Sequence, residues 1–541
     1  MKRSLRKLGW FGVLAISTAA VAVPANDLQV VIDGPRNGPL HGWRSPTFDP
    51  VEDIVDQWIE NGRQFINRNG RTFELFTHPS FTSYRLRIAE PTICDSGVRQ
   101  YSGYLDITTG KHLFFWFFES RRSPETADFI YWTNGGPGAS SATGLLFELG
   151  PCQVASEDGT VTRNKHSWNT HSNILFLDQP VNVGWSYSDD GSRVSRSYLA
   201  GEDVYAFFQL FFARFPEYVR AEFHMAAESY GGTYAPNTAT VFDKKNRELE
   251  IVPVPGLTKI NLASVILANG WTNPLEQYSS IPDWICEGPY ALFDPESREC
   301  KGLRRSVPHC RRLTEACYKF DNRVTCAAAE TYCSYALESL VSKLKLNPYD
   351  VRKPCVGGNI CYEELNWIET FMNNATVKGQ LGIDPARNFS SGSESVYLDF
   401  RATGDGARNS APLLTNLVNN GVRLLVYAGN ADSVCNYIGN EWWLENLDSD
   451  FQEEFLAAKP IPWITQDSQE VVGTVRSAGG SGFTAGNVTF VVVHEAGYCC
   501  HHPERPSSGT DNIRRHMVPF DQPEAALDLI TRWVKNIPLT N

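Results

Sequence analysis

The sequence contains little that would anchor it in a membrane or attract nucleic acid. After residue 25 no apolar run is long enough to span a bilayer, so we expect no membrane-spanning segment in the rest of the chain. The formal net charge is −12 and no basic stripe is present, which argues against nucleic-acid partners. With 42% hydrophobic and 20% charged residues, the 541-residue chain is expected to be globular, with one large domain or a few ordinary ones.

Short Cys-x2-Cys pairs typical of zinc sites are missing from the cysteine-rich region, although the chain has 13 cysteines. Eight of them fall between Cys286 and Cys361, and the four from Cys310 to Cys333 are spaced C-x6-C-x8-C-x6-C. In a secreted chain this pattern favours a disulfide-stapled subdomain over a metal site. We therefore predict disulfides here and no metal.

The first 25 residues have the pattern of a secretory signal peptide. Four basic residues among the first seven precede an apolar run at 8–23, and small residues suited to cleavage follow. Sequons for N-glycosylation at Asn374, Asn388 and Asn487 agree with entry into the secretory pathway. We expect a soluble protein that resides in a vacuole or outside the cell.

The rest of the chain divides into regions of different pattern. Residues 26–95 are polar with weak periodicity, and we interpret them as a pro-segment or N-terminal extension. From residue 101 strands alternate with helices, which predicts an α/β sheet, and the cysteine-rich insertion at 276–395 is expected to cap its carboxyl edge. The predicted strands are 113–118, 129–133, 173–177, 223–227, 262–268, 422–428 and 490–493, and the predicted helices are 201–215, 234–242 and 523–534.

Ser229 follows an apolar stretch in the run Ala-Ala-Glu-Ser-Tyr-Gly-Gly. A serine on a sharp turn between a strand and a helix is how α/β-hydrolases present their nucleophile. The usual pattern is G-x-S-x-G, and Ala227 replaces its first glycine. A buried loop serine is the alternative. The nucleophile interpretation predicts an α/β-hydrolase fold: a mixed, mostly parallel central sheet flanked by helices, with the disulfide-rich cap as an insertion.

Three further motifs stand where such a fold needs them. The run from Asn134 to Gly138, Asn-Gly-Gly-Pro-Gly, follows a predicted strand and suits an oxyanion hole. A plain turn is one alternative. A phosphate loop is a weaker one, because the Gly-Lys-Ser/Thr ending of such loops is missing. Asp432 follows another strand, as a triad acid does, or is a turn aspartate. His516 is late enough in the chain for a general base, or is structural.

Together these runs resemble the signatures of serine carboxypeptidases, and the similarity extends from about Gln100 to the end of the chain. The resemblance implies a hydrolase core of residues 96–275 and 396–541 and an acyl-enzyme mechanism. The roles that it implies are Ser229 as nucleophile, His516 as base, Asp432 as the acid that orients the imidazole, and Gly136 and Tyr230 as backbone donors of the oxyanion hole.

The resemblance also implies a site for the free carboxylate of a peptide, made by Asn134, Gly135, Glu148 and Glu228. Two glutamates in a partly dry pocket cannot both ionise cheaply, so one pKa rises and the pair shares a proton at acidic pH. We therefore expect a cofactor-free carboxypeptidase that acts on peptide and protein C-termini and is favoured below neutral pH. An acyltransferase on the same scaffold and a catalytically impaired hydrolase-fold protein are the alternatives.

For the cysteines, the resemblance implies four pairs and one free thiol. Cys435 matches a free cysteine beside the active site of the family. Ala139 and Val396 occupy positions where the family commonly has a further disulfide, and Gly406 stands where it has a tryptophan near the pocket for the penultimate substrate residue. The implied pairs are Cys286–Cys300, Cys310–Cys333, Cys317–Cys326 and Cys355–Cys361, and Cys94 is a further candidate partner for Cys152.

An insertion interrupts the motif around the predicted base. The family reads Gly-His-Met-Val-Pro without a break, whereas residues 498–515 separate Gly497 from His516 here. We interpret this segment as an untranslated intron that is absent from the mature transcript, or as a genuine loop insertion. A genuine loop would have to leave His516 within hydrogen-bond reach of Ser229. A metal site at Cys499-Cys500-His501-His502 is disfavoured because adjacent ligands have poor geometry for one ion.

Overall fold

The computed structural model describes residues 56–60, 62–68, 71–107, 110–356, 361–480, 482–495 and 517–540. The predicted signal peptide, residues 26–55 of the predicted extension, the suspected insert at 498–515 and His516 lie outside the described residues.

A large mixed sheet forms the framework of the molecule. Its strands follow the spatial order β1-β2-β3-β4-β5-β6-β10-β7-β12-β13-β16-β19-β18-β17, with β11 paired to β6. β10, β7, β12, β13, β16 and β19 run parallel to one another, and antiparallel strands extend the sheet on both sides. Two small antiparallel pairs, β8-β9 and β14-β15, lie outside it. The strands are β1 Asp56–Glu60, β2 Arg63–Arg68, β3 Arg71–Thr77, β4 Tyr84–Ala89, β5 Gln100–Ile107, β6 Lys111–Phe118, β7 Phe129–Thr133, β8 Cys152–Val154, β9 Val161–Arg163, β10 Asn173–Leu177, β11 Tyr187–Ser188, β12 Phe223–Glu228, β13 Leu262–Ala268, β14 Leu346–Asn347, β15 Asp350–Pro354, β16 Arg423–Gly429, β17 Ile461–Ile464, β18 Val471–Ala478 and β19 Val488–Val493.

Helices cover both faces of this sheet, which explains the near-continuous apolar sequences of the central strands. In β7, Phe129 and Tyr131 point into a core shared with α1 and α2, whereas Ile130 and Trp132 point into a second core shared with α14. The helices are α1 Ser197–Arg214, α2 Gly231–Ile251, α3 Pro274–Glu287, α4 Arg298–Phe320, α5 Arg323–Cys333, α6 Ser339–Lys343, α7 Glu364–Asn373, α8 Ala375–Leu381, α9 Glu394–Thr403, α10 Ala411–Asn419, α11 Tyr437–Glu445, α12 Gln452–Ala457, α13 Val518–Asp521 and α14 Pro523–Val534.

The predicted elements from residue 101 onward are confirmed, and four strands before it were missed. The strands at 129–133, 173–177 and 262–268 have the predicted bounds, whereas α2 begins at Gly231 and continues to Ile251, beyond the predicted 234–242. β1 to β4 pair antiparallel in series and join the large sheet through β5. Buried ion pairs account for the weak signal in β4, because its Arg87 donates two 2.7 Å hydrogen bonds to Asp106 inside the sheet. The role of residues 26–95 as a pro-segment stays a prediction.

The described part of the chain contains five disulfides, and four of them lie between the core strands β13 and β16. Four are the pairs that the family resemblance implies, and the fifth joins Cys94 to Cys152. The segments that carry Ala139 and Val396 are in contact, since a Cβ built on Gly138, the neighbour of Ala139, would lie 3.3 Å from Cβ of Val396. The helices α3 to α9 belong to this region, and the boundaries of the cap at 276–395 stay a prediction.

Two of the three sequon asparagines are exposed. Asn374 and Asn388 are on the surface, and Asn487 is half-buried.

Within the described ranges, the structure contains no helix with the length and apolar character needed to cross a membrane.

Candidate active site

Ser229 lies at the end of β12, on the turn that leads into α2. Its φ of +57° is in the left-handed region, which non-glycine residues rarely occupy. The Ser229 N–H donates to the carbonyl of Ala268 (3.0 Å), and the Ser229 carbonyl accepts from the N–H of Trp271 (2.8 Å). A strained serine between a parallel strand and a helix has the geometry of a nucleophile elbow.

The alanine that departs from the usual elbow pattern is accommodated by a glycine one turn later. A Cβ built on Gly231 would lie 2.7 Å from Cβ of Ala227, which is closer than real Cβ atoms approach. The methyl group of Ala227 therefore occupies space that only a glycine at 231 leaves open. This compensation explains why the turn forms without glycine at position 227.

The glycine-rich loop after β7 packs directly against the elbow. A Cβ on Gly135 would lie 2.3 Å from the backbone nitrogen of Tyr230 and 2.6 Å from the carbonyl oxygen of Glu228, so no side chain fits here. The next residue, Gly136, has a φ of +104°, which favours glycine. The two backbone segments that carry the predicted oxyanion donors, Gly136 and Tyr230, are therefore in contact.

Asp432 lies beyond the end of β16 and is fully buried. Its carboxylate accepts hydrogen bonds from Asn269 Nδ2 (2.8 Å) and from the N–H groups of Val434 (2.8 Å) and Cys435 (3.3 Å). Burial raises the pKa of Asp432 to about 7, and these donors oppose the rise. Asn269 was not singled out from the sequence, although it directly follows β13, the strand between those that end at Ser229 and near Asp432.

Asn134 joins the two buried glutamates into one cluster. Its Nδ2 donates to Glu228 Oε2 (2.8 Å) and Glu148 Oε1 (3.2 Å). The orientation of the amide is fixed because Asn134 Oδ1 accepts from Trp132 Nε1 (2.8 Å) and from the Gly144 N–H (3.0 Å). The structure therefore brings together three of the four residues predicted to bind a carboxylate, and the fourth, Gly135, adjoins Asn134.

Burial and mutual repulsion keep protons on this carboxyl pair. Burial raises the pKa of Glu148 to about 7. The pKa of Glu228 rises well above its ordinary value through burial and then through the charge of Glu148. Among the described residues, Glu148 Oε2 has no hydrogen-bond partner. The pair can therefore donate a hydrogen bond to a further carboxylate as long as it holds a proton.

Cys435 is the free thiol predicted beside the site, and it is buried. Burial raises the pKa of the Cys435 thiol well above its ordinary value, and the charges of Asp432, Glu338 and Glu228 add to the rise, whereas a hydrogen bond with Ser229 opposes it. The thiol therefore stays protonated next to Ser229.

The predicted base His516 lies outside the described residues, but its flanking segments contact the site. On one side, the Glu495 N–H donates to Oδ1 of Asn430, close in sequence to Asp432 (3.0 Å). On the other side, Phe520 stacks on Phe147 with ring centroids 4.3 Å apart, next to Glu148. The described residues on the two sides of His516 therefore contact sequence neighbours of Asp432 and Glu148.

One group of side chains in the described part of the chain has metal-ligand spacing. Ligand atoms of Asp128, Glu222 and His224 lie within 4.8 Å of one another. These residues are at the amino ends of β7 and β12, whereas Ser229 follows the carboxyl end of β12. The group therefore takes no part in the chemistry at Ser229.

Comparison with known proteins agrees with this geometry. The family model described as serine carboxypeptidase matches residues 91–536. The chain belongs to the serine carboxypeptidase family. As a member of that family it is a serine-type carboxypeptidase, and the enzyme and reaction class expected from the sequence are confirmed.

The similar proteins include several fungal serine carboxypeptidases. Carboxypeptidase Y homolog A of Leptosphaeria maculans is 36% identical over 89% of this chain and 81% of its own length. The homolog A of Ajellomyces dermatitidis is 40% identical over 81% of this chain and 74% of its own length. A crystal structure of the prohormone-processing carboxypeptidase Kex1 from Saccharomyces cerevisiae matches with a TM-score of 0.66 and 23% identity, covering 81% of this chain and 91% of that chain. This match confirms the predicted α/β-hydrolase fold.

Proposed function

We propose that Ser229, Asp432 and His516 form the catalytic triad of this carboxypeptidase. Ser229 Oγ attacks the last peptide carbonyl while His516 takes the hydroxyl proton. His516 then protonates the nitrogen of the departing C-terminal residue, and an acyl-enzyme remains on Ser229. A water molecule gives its proton to His516, attacks the ester and releases the shortened peptide with Ser229 restored. Asp432 orients the imidazole and stabilises its charged form.

The oxyanion of each tetrahedral intermediate is assigned to the backbone N–H groups of Gly136 and Tyr230. Support comes from the direct packing of the glycine-rich loop on the elbow, with Gly135 against the Tyr230 nitrogen. Backbone donors fixed in this way need no reorganisation when charge develops on the substrate oxygen.

One observation carries the proposal of exopeptidase action: the Asn134 amide and the Glu148–Glu228 pair form a buried carboxyl-binding cluster next to Ser229. A peptide that places its terminal carboxylate there presents its last peptide bond to Ser229. Since a protonated pair donates to this carboxylate and an ionised pair repels it, we propose that activity is favoured below neutral pH.

The test uses the full chain, a blocked dipeptide with a free carboxylate, and the same dipeptide as its C-terminal amide. Release of the terminal residue from the free acid at about pH 5, with the amide cleaved much more slowly, is the expected result. Equal rates for the two substrates would contradict the carboxylate site, and preferential transfer from an activated ester to an added alcohol would favour the acyltransferase alternative.

We also propose that the protein enters the secretory pathway and resides in a vacuole or outside the cell. The basic and apolar start of the sequence, the exposed Asn374 and Asn388, and five disulfides support this location. A mobility shift on glycosidase treatment that is lost when both asparagines are replaced by glutamine tests the proposal, and an unglycosylated cytosolic product would contradict it.

The insert at 498–515 decides whether His516 reaches Ser229, and two forms of the chain test it. Deleting these residues restores the uninterrupted family motif, so the deleted form should react with a fluorophosphonate at Ser229 and hydrolyse the blocked dipeptide. If only the full-length form is active, the segment is a functional loop. Codons for these residues in the mature transcript would exclude the intron interpretation.

A further inference from the structure

A second group of acidic side chains surrounds Gly406, on the side of the elbow where Tyr230 lies. A Cβ built on Gly406 would lie 3.2 Å from Glu330 Oε1 and 3.3 Å from a ring carbon of Tyr230. The Glu330 carboxyl and the Tyr230 ring therefore occupy the space into which a side chain at position 406 would project. We call Glu330, Glu338 and the space over Gly406 the acidic subsite.

Glu330 is nine-tenths buried yet incompletely hydrogen-bonded. Its exposed fraction is 9%, and its Oε2 has no hydrogen-bond partner among the described residues. The nearest counter-charge, Arg401 Nε, is 3.9 Å from Oε1. Burial raises the pKa of Glu330 to about 8. A buried carboxyl oxygen without a donor is costly unless a ligand supplies one.

Glu338 is a second acid close to Glu330, whose pKa its charge helps to raise. It ends a π-helical turn, Ser334–Glu338, and such turns are frequent at functional sites. Its charge is one cause of the raised pKa of the Cys435 thiol, which hydrogen-bonds Ser229. Asp405, the third acid nearby, is already satisfied because Tyr230 Oη (2.8 Å) and Ser197 Oγ (2.6 Å) donate to it. Glu338 accepts a hydrogen bond from Ser334, so the carboxyl oxygen left without a donor is Oε2 of Glu330, and Glu338 adds a second acidic group close to it.

The position of the subsite selects which substrate residue reaches it. Glu228 and Tyr230 flank Ser229 on the elbow, and the side chain of Glu228 belongs to the carboxylate cluster. A peptide whose terminal residue is held by Glu228 can extend across Ser229 toward the Tyr230 ring, which adjoins Gly406. We propose that Glu330 and Glu338 bind a lysine or arginine side chain at the penultimate position of the substrate, an inference that rests on the proposed carboxypeptidase function.

The test compares blocked dipeptides that differ only at the penultimate residue, lysine against norleucine, which has a similar length without the charge. Because the pKa of Glu330 is raised to about 8, its charge is complete only above that pH, so we expect kcat/KM to be about 10–100-fold higher for lysine at about pH 8.5 and the preference to be smaller at about pH 5. In the double variant Glu330→Gln/Glu338→Gln this ratio should fall toward one while hydrolysis of the norleucine peptide persists. Glu315→Gln, an exposed glutamate of α4, is the matched control and should keep the wild-type ratio.

Two outcomes would overturn the inference. One is a wild-type enzyme that prefers norleucine, a result that needs no variant to fold. The other is an unchanged lysine-to-norleucine ratio in a double variant that melts like the wild type.

Calorimetry with the Ser229→Ala variant separates this inference from the proposed function. The lysine peptide should bind more tightly than the norleucine peptide even where no turnover occurs. Absent hydrolysis by the wild-type enzyme, with the binding difference retained in Ser229→Ala, would contradict the proposed function alone, whereas equal binding of the two peptides would contradict the acidic subsite.

Discussion

Two groups of buried carboxyls adjoin the elbow that carries Ser229, and they differ in the donors that surround them. Glu148 and Glu228 share the amide of Asn134 and a hydrogen bond with each other. Glu330 has no comparable donor on Oε2 among the described residues, and Arg401 is 3.9 Å from its other oxygen. Burial is the first cause of the raised pKa in each group, so their chemical roles are distinguished by their partners.

This difference indicates how each group recognises its ligand. The Glu148–Glu228 pair has a neutral donor and can hold a proton, which suits an anionic ligand. The acidic subsite has an unsatisfied acceptor, Glu330 Oε2, which suits a cationic ligand. Glu148 and Glu338 both end π-helical turns, Gly144–Glu148 and Ser334–Glu338, so a similar local backbone carries one acid of each group.

The largest expected effect is that of Ser229→Ala, which removes the nucleophilic hydroxyl that every substrate needs. We expect kcat to fall by about 10⁴-fold or more for every peptide, because loss of the nucleophile disables the whole triad. Binding of lysine and norleucine peptides should retain its difference. Steady-state kinetics and calorimetry on one preparation measure both, and a variant that keeps a tenth of wild-type turnover, a level well above about 10⁻⁴, would exclude Ser229 as nucleophile.

Asn134→Ala should weaken only the binding of the substrate's terminal carboxylate by the Glu148–Glu228 pair. Loss of the amide leaves Glu148 and Glu228 without their shared donor, so we expect about a 10²-fold lower kcat/KM for a free-acid dipeptide. The C-terminal amide of the same peptide should lose much less, and the lysine-to-norleucine ratio should not change. Equal losses for acid and amide would indicate a structural role for Asn134 instead.

Gly406→Trp should weaken the acidic subsite alone. A Cβ at this position would already lie 3.2 Å from Glu330 Oε1, so an indole must displace the Glu330 carboxyl. We expect the lysine-to-norleucine ratio to fall by about tenfold. Hydrolysis of the norleucine peptide serves as the internal reference, and an unchanged ratio in a folded variant would show that position 406 does not face the penultimate side chain.

The smallest effect is expected for Cys435→Ala, because this variant loses only one neutral hydrogen bond. Cys435 interacts with both groups of carboxyls, the Glu148–Glu228 pair and the acidic subsite. Its thiol pKa is raised by the charges of Glu228 and Glu338, and it hydrogen-bonds Ser229. Loss of one neutral hydrogen bond should lower kcat/KM by about fivefold for lysine and norleucine peptides alike. A change confined to one of these peptides would contradict a position between the two groups.

The sequence predicted the elements whose signal is local. Buried parallel strands such as β7 and β13 read as apolar runs bounded by turns, and the motifs around Ser229 and Asn134 are contiguous. Residues brought together only by the fold were missed. Asn269 reaches Asp432 because β13 and β16 are neighbours, and Glu330 reaches Gly406 across 76 positions of sequence. β4 was missed because its buried arginine makes an ion pair that the hydrophobic pattern does not reveal.

The most direct test of the proton-sharing pair is the pH dependence of kcat/KM for a free-acid dipeptide divided by that for its amide. The division cancels the titration of the catalytic base, which acts on both substrates. Because the pKa of Glu148 is about 7 and that of Glu228 is raised well above its ordinary value, the pair loses its protons as the pH increases. The ratio should therefore be high at acidic pH and decline through about pH 7 and above. A ratio that stays constant or increases across this range would contradict a shared proton as the basis of carboxylate recognition.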